Sequence, residues 1–294
     1  MNHTVKPAFQ PAAWLQNLVL TGLIGLLRAL PYDWRIPFGG WLMRVLIAPV
    51  AGYGKRVRAN LGLIWPDLPP DRVTQITRAV CDNAGRTLAE LYSPVEFKSR
   101  VADAKVIGAG LDPILQAQAS GRGVILISGH FGNHDIARAV LSSRGLNVGA
   151  LYRQANNPYF DKHYAATVRA ISEPLFARSR RGLAEMVKHL RKGGMVGMLI
   201  DQHFSSGAPL DFLGRPAMTA LSAAEMALKY NCLLVPVYGI RLPDGLHFEL
   251  AVETPVPHSD SRTMTQALNH SLAAQVRLHP EQWFWVHRRW KGAT

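Results

Sequence analysis

The sequence predicts an α/β fold: a mixed, largely parallel sheet flanked by helices, with an N-terminal membrane-associated helical segment. Three observations predict it. From about residue 103 onward, short β-rich runs alternate with helical stretches, the signature of strand–helix–strand units. Residues 124–128 (Val-Ile-Leu-Ile-Ser) are a nearly unbroken apolar run, as a strand covered on both faces must be. Residues 1–60 are apolar and basic at once, with seven Lys/Arg against a single acid, Asp33.

Residues 1–60 form the first of two predicted units. They contain two apolar stretches, 14–30 and 36–52. The uninterrupted part of the first, 18–27, is about ten residues, whereas a bilayer span takes about 20. It therefore reads as an interfacial helix, with Trp14, Trp34 and Trp41 at headgroup depth and basic residues facing anionic lipid. A short tilted anchor and an amphipathic hairpin packed on the domain are the alternatives. A cleaved signal peptide does not fit, because no basic n-region or small-residue cleavage site is evident.

The second unit, 61–294, opens with a helix over 71–92, introduced by Pro69-Pro70 and capped by Asp71. Val73, Ile76, Val80, Ala84, Leu88 and Leu91 recur at three- and four-residue steps and predict one buried stripe. Beyond 124–128, strands are expected at 148–152, 175–177, 195–200, 233–240 and 247–252. Helices are expected between them at 133–144, 158–171, 181–191, 219–230 and 262–278. This is the α/β domain proper.

Composition narrows the classes further. Among 294 residues, 33 Lys+Arg face 20 Asp+Glu, a net charge of +13 that attracts polyanions. Nucleic acid is not the expected partner: the chain lacks a helix-turn-helix, zinc or aromatic RNA-binding signature, and such binding would leave the apolar leader without a purpose. The two cysteines, Cys81 and Cys232, are too few for a metal cluster or a disulfide framework. A mean hydropathy of +0.02 is too low for a polytopic membrane protein.

The chemistry-bearing stretch is Gly129-His130-Phe131-Gly132-Asn133-His134-Asp135, at the exit of the strongest strand and the entrance of a helix. Ligands of open α/β sheets bind at such strand ends. A histidine titrates near neutrality and suits general-base work. A carboxylate one turn on, Asp135, is expected to hold its other ring nitrogen as a donor and to stabilise the imidazolium. Gly129 and Gly132 would let the backbone turn and approach a substrate. His130, His134 and Asp135 also have the residue types of a metal site, but no third cluster follows, so no metal and no cofactor are expected. A serine nucleophile is disfavoured by the absence of a G-x-S-x-G elbow.

That block resembles the active-site motif of the bacterial lipid A biosynthesis late acyltransferases (lauroyl and myristoyl transferases), part of the lysophospholipid acyltransferase superfamily. Further blocks are similar in order: Leu151-Tyr152-Arg153 with Asn157-Pro158, Met198-Leu199-Ile200-Asp201-Gln202, Phe212-Leu213-Gly214-Arg215-Pro216-Ala217, Leu234-Val235-Pro236-Val237, and Pro280 through Lys291. Leu30-Pro31 and Arg58-Ala59-Asn60-Leu61 in the leader fit as well. Asp135 stands where that family more often has Glu, and His134 where it has Trp. The glycerolipid branch's Glu-Gly-Thr-Arg-like block is absent after 195–200.

The resemblance implies an acyl-carrier-protein-dependent O-acyltransferase acting on a lipid A precursor. It implies His130 as general base with Asp135 as its partner. Gly132 and Asn133 N–H groups and Arg153 become candidate oxyanion donors, and Asp201 and Gln202 candidates to position the acceptor or a neighbouring basic group. Arg288, Arg289 and Lys291 become a patch for acidic partners, with Arg178, Arg180 and Arg181 as a second. The expected location is the inner membrane, with the catalytic domain on the cytoplasmic face and anionic lipid beneath it. A glycerolipid, ornithine lipid or glycosylated lipid is the alternative acceptor.

Overall fold

A computed structural model describes residues 9–292. The start of the leader, Lys6 included, and residues 293–294 lie outside the described residues. Helix α1 (Pro11–Arg28) has proline in its first turn, where a missing N–H removes no helical bond, and buries none of its residues. Helix α2 (Tyr32–Leu42) passes through a π-helical stretch, Met43–Ile47, into α3 (Ala48–Val50). After a turn, α4 (Tyr53–Ile64) departs at 86°. Among the described residues, no single helix is long and apolar enough to cross a membrane; the bent pair 32–50 and 53–64 passes that test only taken together. Tyr32 and Ile36 of α2 and Val57 and Leu61 of α4 are buried in the same cores as the sheet.

Helix α5 (Pro70–Leu91) starts one residue earlier than the sequence suggests. Pro70 takes the first position, and Asp71 lies inside the first turn, favourable to the helix dipole but not the cap. Its buried stripe also drifts: Cys81, Gly85 and Ala89 face inward, Leu88 is exposed, and Glu90 is fully buried.

The α/β layer follows: α6 (Pro94–Val101), β1 (Lys105–Ile107), α7 (Leu111–Ala119), β2 (Val124–Ser128), α8 (Ile136–Ser143), β3 (Val148–Tyr152), α9 (Pro158–Ile171), β4 (Leu175–Ala177), α10 (Arg180–Arg191), β5 (Met195–Leu199), β6 (Ala208–Phe212), β7 (Arg215–Thr219), α11 (Ser222–Tyr230), β8 (Leu233–Arg241), β9 (Phe248–Val252) and α12 (Ser261–Leu278). Seven strands form one sheet in the order β1-β9-β8-β2-β5-β3-β4. All neighbours run parallel except β8 and β9, so the sheet is mixed and largely parallel, as expected. Strand β2 is buried at every residue.

Two apolar layers cover the sheet. Ala139 and Val140 of α8 and Val168 and Ile171 of α9 pack on one face with Leu126, Val148 and Met195. Met186 and Leu190 of α10, Ala224 of α11 and Leu268 of α12 pack on the other with Ile125, Ile127 and Val196. Strands β6 and β7, which the sequence reads as a loop, form a separate hairpin whose turn is Leu213-Gly214, both at positive φ. That is the two-residue geometry that matches strand twist.

Candidate active site

His130 lies two residues past the end of β2, and Asp201 two residues past the end of β5. These strands are parallel neighbours with Ser128 opposite Leu199, so continuing both chains by two residues brings 130 and 201 together. The contact is double. Asp201 Oδ1 meets His130 Nδ1 at 2.8 Å, and Asp201 Oδ2 accepts the His130 backbone N–H at 2.7 Å. The Trp283 indole N–H donates to the same Oδ2 at 2.9 Å. Asp201 is wholly buried. An ionised carboxylate can only accept, so Nδ1 must carry the ring proton, leaving Nε2 as the basic nitrogen.

The electrostatics agree with that tautomer. Burial alone would raise Asp201, but the charge of His130 and its hydrogen bonds outweigh it and hold the carboxyl far below the usual range. Burial alone would lower His130; Asp201, with a smaller contribution from Asp135, overrides it and raises the ring above the ordinary histidine value. The His287 ring lies edge-on to His130 with centroids 4.5 Å apart. Burial pushes His287 down to about 4 against the pull of Asp201, so it stays neutral at physiological pH. His130, Asp201 and His287 place ligand-type atoms within 4.8 Å of one another. Both Asp201 oxygens are already engaged by three N–H donors, so the geometry is that of a hydrogen-bonded pair and not of a free cation ligand set.

The predicted pairing of His130 with Asp135 is not formed. Asp135 immediately precedes α8, and its Oδ1 binds Arg138 Nη1, one turn on, at 2.7 Å. His134 Nε2 stands 4.0 Å from its other oxygen. Arg138 outweighs burial and holds Asp135 below the usual carboxylate range. The carboxylate that follows His130 in sequence is turned to the helix, and the one beside the ring comes from the neighbouring strand.

Gly132 also has a different task from the one expected. Its φ is +52°, and a Cβ there would lie 1.8 Å from the Gly239 carbonyl oxygen, so glycine is required by close packing on β8. Its N–H donates to the Gln282 carbonyl at 2.9 Å and is therefore not an oxyanion donor. Asn133 is buried, donating through Nδ2 to Glu90 at 2.8 Å and accepting the Asp135 N–H through Oδ1 at 2.9 Å. Glu90 in turn holds Arg241 through Oε2 at 2.8 Å. This buried network, which carries the site loop from behind, has no local sequence signal: Glu90 lies in a helix that reads as ordinary amphipathic.

The C-terminal segment closes the other side. Phe284 N–H donates to the His130 carbonyl at 2.9 Å, and Trp283, Trp285 and Trp290 are buried around Phe212. A cavity of about 690 Å³ opens beside His130, within the range of ligand pockets. His134, Asp135, Arg153, Arg178 and Gln202 line it, together with the apolar residues Leu126, Val148, Leu151, Met186, Met198 and Met226. Arg153 and Gln202, two of the predicted substrate contacts, are exposed and line this cavity.

The family model of the bacterial lipid A biosynthesis acyltransferases matches residues 3–292. The chain belongs to this family. It is similar to the lipid A biosynthesis lauroyltransferase of Escherichia coli (strain K12), 26% identical over 288 residues covering 96% of this chain and 92% of that one. The lipid A biosynthesis myristoyltransferase of the same strain is 23% identical over 283 residues, covering 93% and 85%. A phosphatidylinositol mannoside acyltransferase of Mycobacterium tuberculosis (strain CDC 1551 / Oshkosh) is 25% identical over 247 residues, covering 81% and 78%.

Within this lipid A acyltransferase-family chain, one predicted surface patch is broken up by the structure. Arg289 is fully buried, donating through Nη1 to the Met218 carbonyl at 2.8 Å and through Nη2 to Thr219 Oγ1 at 2.6 Å. It fastens the C-terminus to β7 and cannot meet a partner. Arg288 and Lys291 stay exposed on either side of it in sequence; Arg180 and Arg181 are exposed too, as is Arg178 at the cavity.

Proposed function

We propose that this protein is a membrane-surface O-acyltransferase that moves a fatty acyl group from an acyl carrier protein thioester to a hydroxyl of a lipid A precursor. The observation that carries the reading is the His130–Asp201 pair at the mouth of a largely apolar cavity. With Nδ1–H held by Asp201, His130 Nε2 takes the proton of the acceptor hydroxyl as its oxygen bonds to the thioester carbonyl carbon. The tetrahedral intermediate collapses with cleavage of the C–S bond, and the imidazolium returns its proton to the leaving thiolate. A thioester is already activated, so direct transfer suffices without a covalent acyl-enzyme. The Asn133 backbone N–H and Arg153 are the groups we assign to the developing oxyanion. Asp135 contributes its charge to the ring and holds Arg138.

The leader supplies the membrane face in this reading, while α2 and α4 also pack into the cores of the α/β layer. Leu15, Leu18 and Leu26 of α1, with Trp34, Phe38 and Trp41 of α2, are exposed large apolar side chains, an area that calls for a lipid surface. The net charge of +13 favours anionic lipid and an acidic carrier protein. We assign the protein to the inner membrane with its cavity toward the cytoplasm. The similarity to the phosphatidylinositol mannoside acyltransferase favours a glycosylated phospholipid as second choice of acceptor.

The test is the purified protein with acyl carrier protein thioesters and a lipid A precursor, following product mass. Wild type should add one acyl group, and His130→Ala, folded, should lose about 10³-fold or more in rate. Full transfer by His130→Ala would overturn the mechanism; transfer only to a mannosylated lipid would move the protein to the second acceptor.

A further inference from the structure

The cavity has two arms, one on each face of the sheet. Side chains alternate along a strand, so Leu126 of β2, Gly197 of β5 and Ala150 of β3 face α8 and α9, whereas Met198 and Leu151 belong with α10 and α11. Strand register sets Leu126 opposite Gly197, and Gly197 opposite Ala150. The three lie side by side across the middle of the sheet. Ser128, on the same side of β2 as Leu126, joins this arm to His130.

A central strand position normally carries a branched side chain, and glycine there weakens the strand or marks a close approach. At Gly197, which lines the cavity, a methyl would fit without a clash and in ordinary van der Waals contact with its surroundings. A Cβ would meet nothing nearer than the Gly149 carbonyl oxygen and Val148 Cγ1 at 3.8 Å, followed by Arg138 Cγ at 3.9 Å. The wall behind is rigid. The Arg138 guanidinium is held by Asp135 at 2.7 Å, by the Ser172 and Val168 carbonyls at 2.6 and 3.2 Å, and by Val148 at 3.4 Å. Gly197 lies two residues below the strand end at Leu199, about 7 Å deep at the usual rise of a strand.

We propose that Gly197 sets the length of the acyl chain this protein accepts. Its missing side chain opens a blind hollow below His130, and the stem of Arg138 ends it. The proposal rests on the acyltransferase reading and adds to it the arm that holds the transferred chain and the residue that measures it. The opposite arm, with Met186, Met198 and Met226, takes no part in measuring that chain.

The experiment compares wild type, Gly197→Ala, Gly197→Val and Met226→Trp with saturated acyl carrier protein thioesters of increasing length. Binding of the matching free fatty acids is measured in parallel by calorimetry, and folding by circular dichroism. Gly197→Val should cut kcat/KM for the longest chain wild type accepts by about 10-fold or more relative to shorter chains, the discrimination that lost methylene space gives. Gly197→Ala should fall between, and Met226→Trp should leave the length preference where it was. A uniform loss across lengths, an unchanged preference in folded Gly197→Val, or shortening by Met226→Trp would each overturn the proposal. If wild type transfers no acyl group to any acceptor, the acyltransferase reading falls, and the fatty-acid series decides on the hollow alone: an affinity order unaltered by Gly197→Val would refute it.

Discussion

His130 and Asp201 illustrate how one side chain fixes the chemistry of another. The carboxylate selects the tautomer, raises the ring's proton affinity and, through its second oxygen, ties the ring to its own backbone. Asp201→Asn keeps the size but removes the charge, and its amide can orient to favour the wrong tautomer. Its transfer rate should fall by about 10³–10⁴-fold, with product mass under saturating substrate as the readout. The pH profile carries the sign. In the proposed mechanism the active form has neutral His130, and its pKa is raised, so kcat/KM for wild type should climb with pH through a midpoint above that of an ordinary histidine. In any residual activity of Asp201→Asn, that midpoint should move to lower pH. A profile unmoved by the substitution would mean that Asp201 does not act on the ring. The sequence made His130 legible through its place at a strand exit between glycines. It offered Asp201 as a positioning candidate but did not pair it with His130, because the two lie 71 residues apart and are brought together only by strand adjacency. Proximity in sequence pointed to Asp135 instead.

At the scale of elements, what was legible was what repeats. The apolar run of β2, the alternation of strands with helices and most of their extents follow from periodicity alone. The misses have physical causes. Strand β1 is three residues long and half-exposed; β6 and β7 each contain a proline, which strands usually exclude except at edges; and the stripe of α5 drifts because a fully buried glutamate, neutralised by Arg241, replaces an apolar residue. Gly132 is the element-level hinge of the site, set between β2 and α8. Replacing it with alanine puts a Cβ into the Gly239 carbonyl and a side chain at positive φ, which by itself costs about 1–2 kcal/mol. Gly132→Ala should therefore lower the thermal midpoint and the activity together. Loss of activity at unchanged stability would indicate a direct role at the substrate instead of the packing role seen here.

The whole molecule combines exposed apolar side chains on the leader with an excess of basic residues that the leader and the body share. Membrane binding should then be bipartite. Replacing Leu18 and Leu26 by glutamate should abolish flotation with anionic vesicles, while added salt should weaken wild-type binding without eliminating it. Binding that vanishes in salt but ignores the two substitutions would assign the contact to charge alone. The C-terminal segment has a temporal consequence. Trp283 clasps Asp201 and Phe284 clasps the His130 carbonyl, yet every strand of the main sheet is encoded before residue 253. Synthesis therefore delivers every strand of the sheet before the segment that restrains the His130–Asp201 pair, and removing residues 279–292 should take away two of that pair's restraints together with Trp283, Trp285 and Trp290 of the buried core. The restraints on the pair are made last, with the tryptophans.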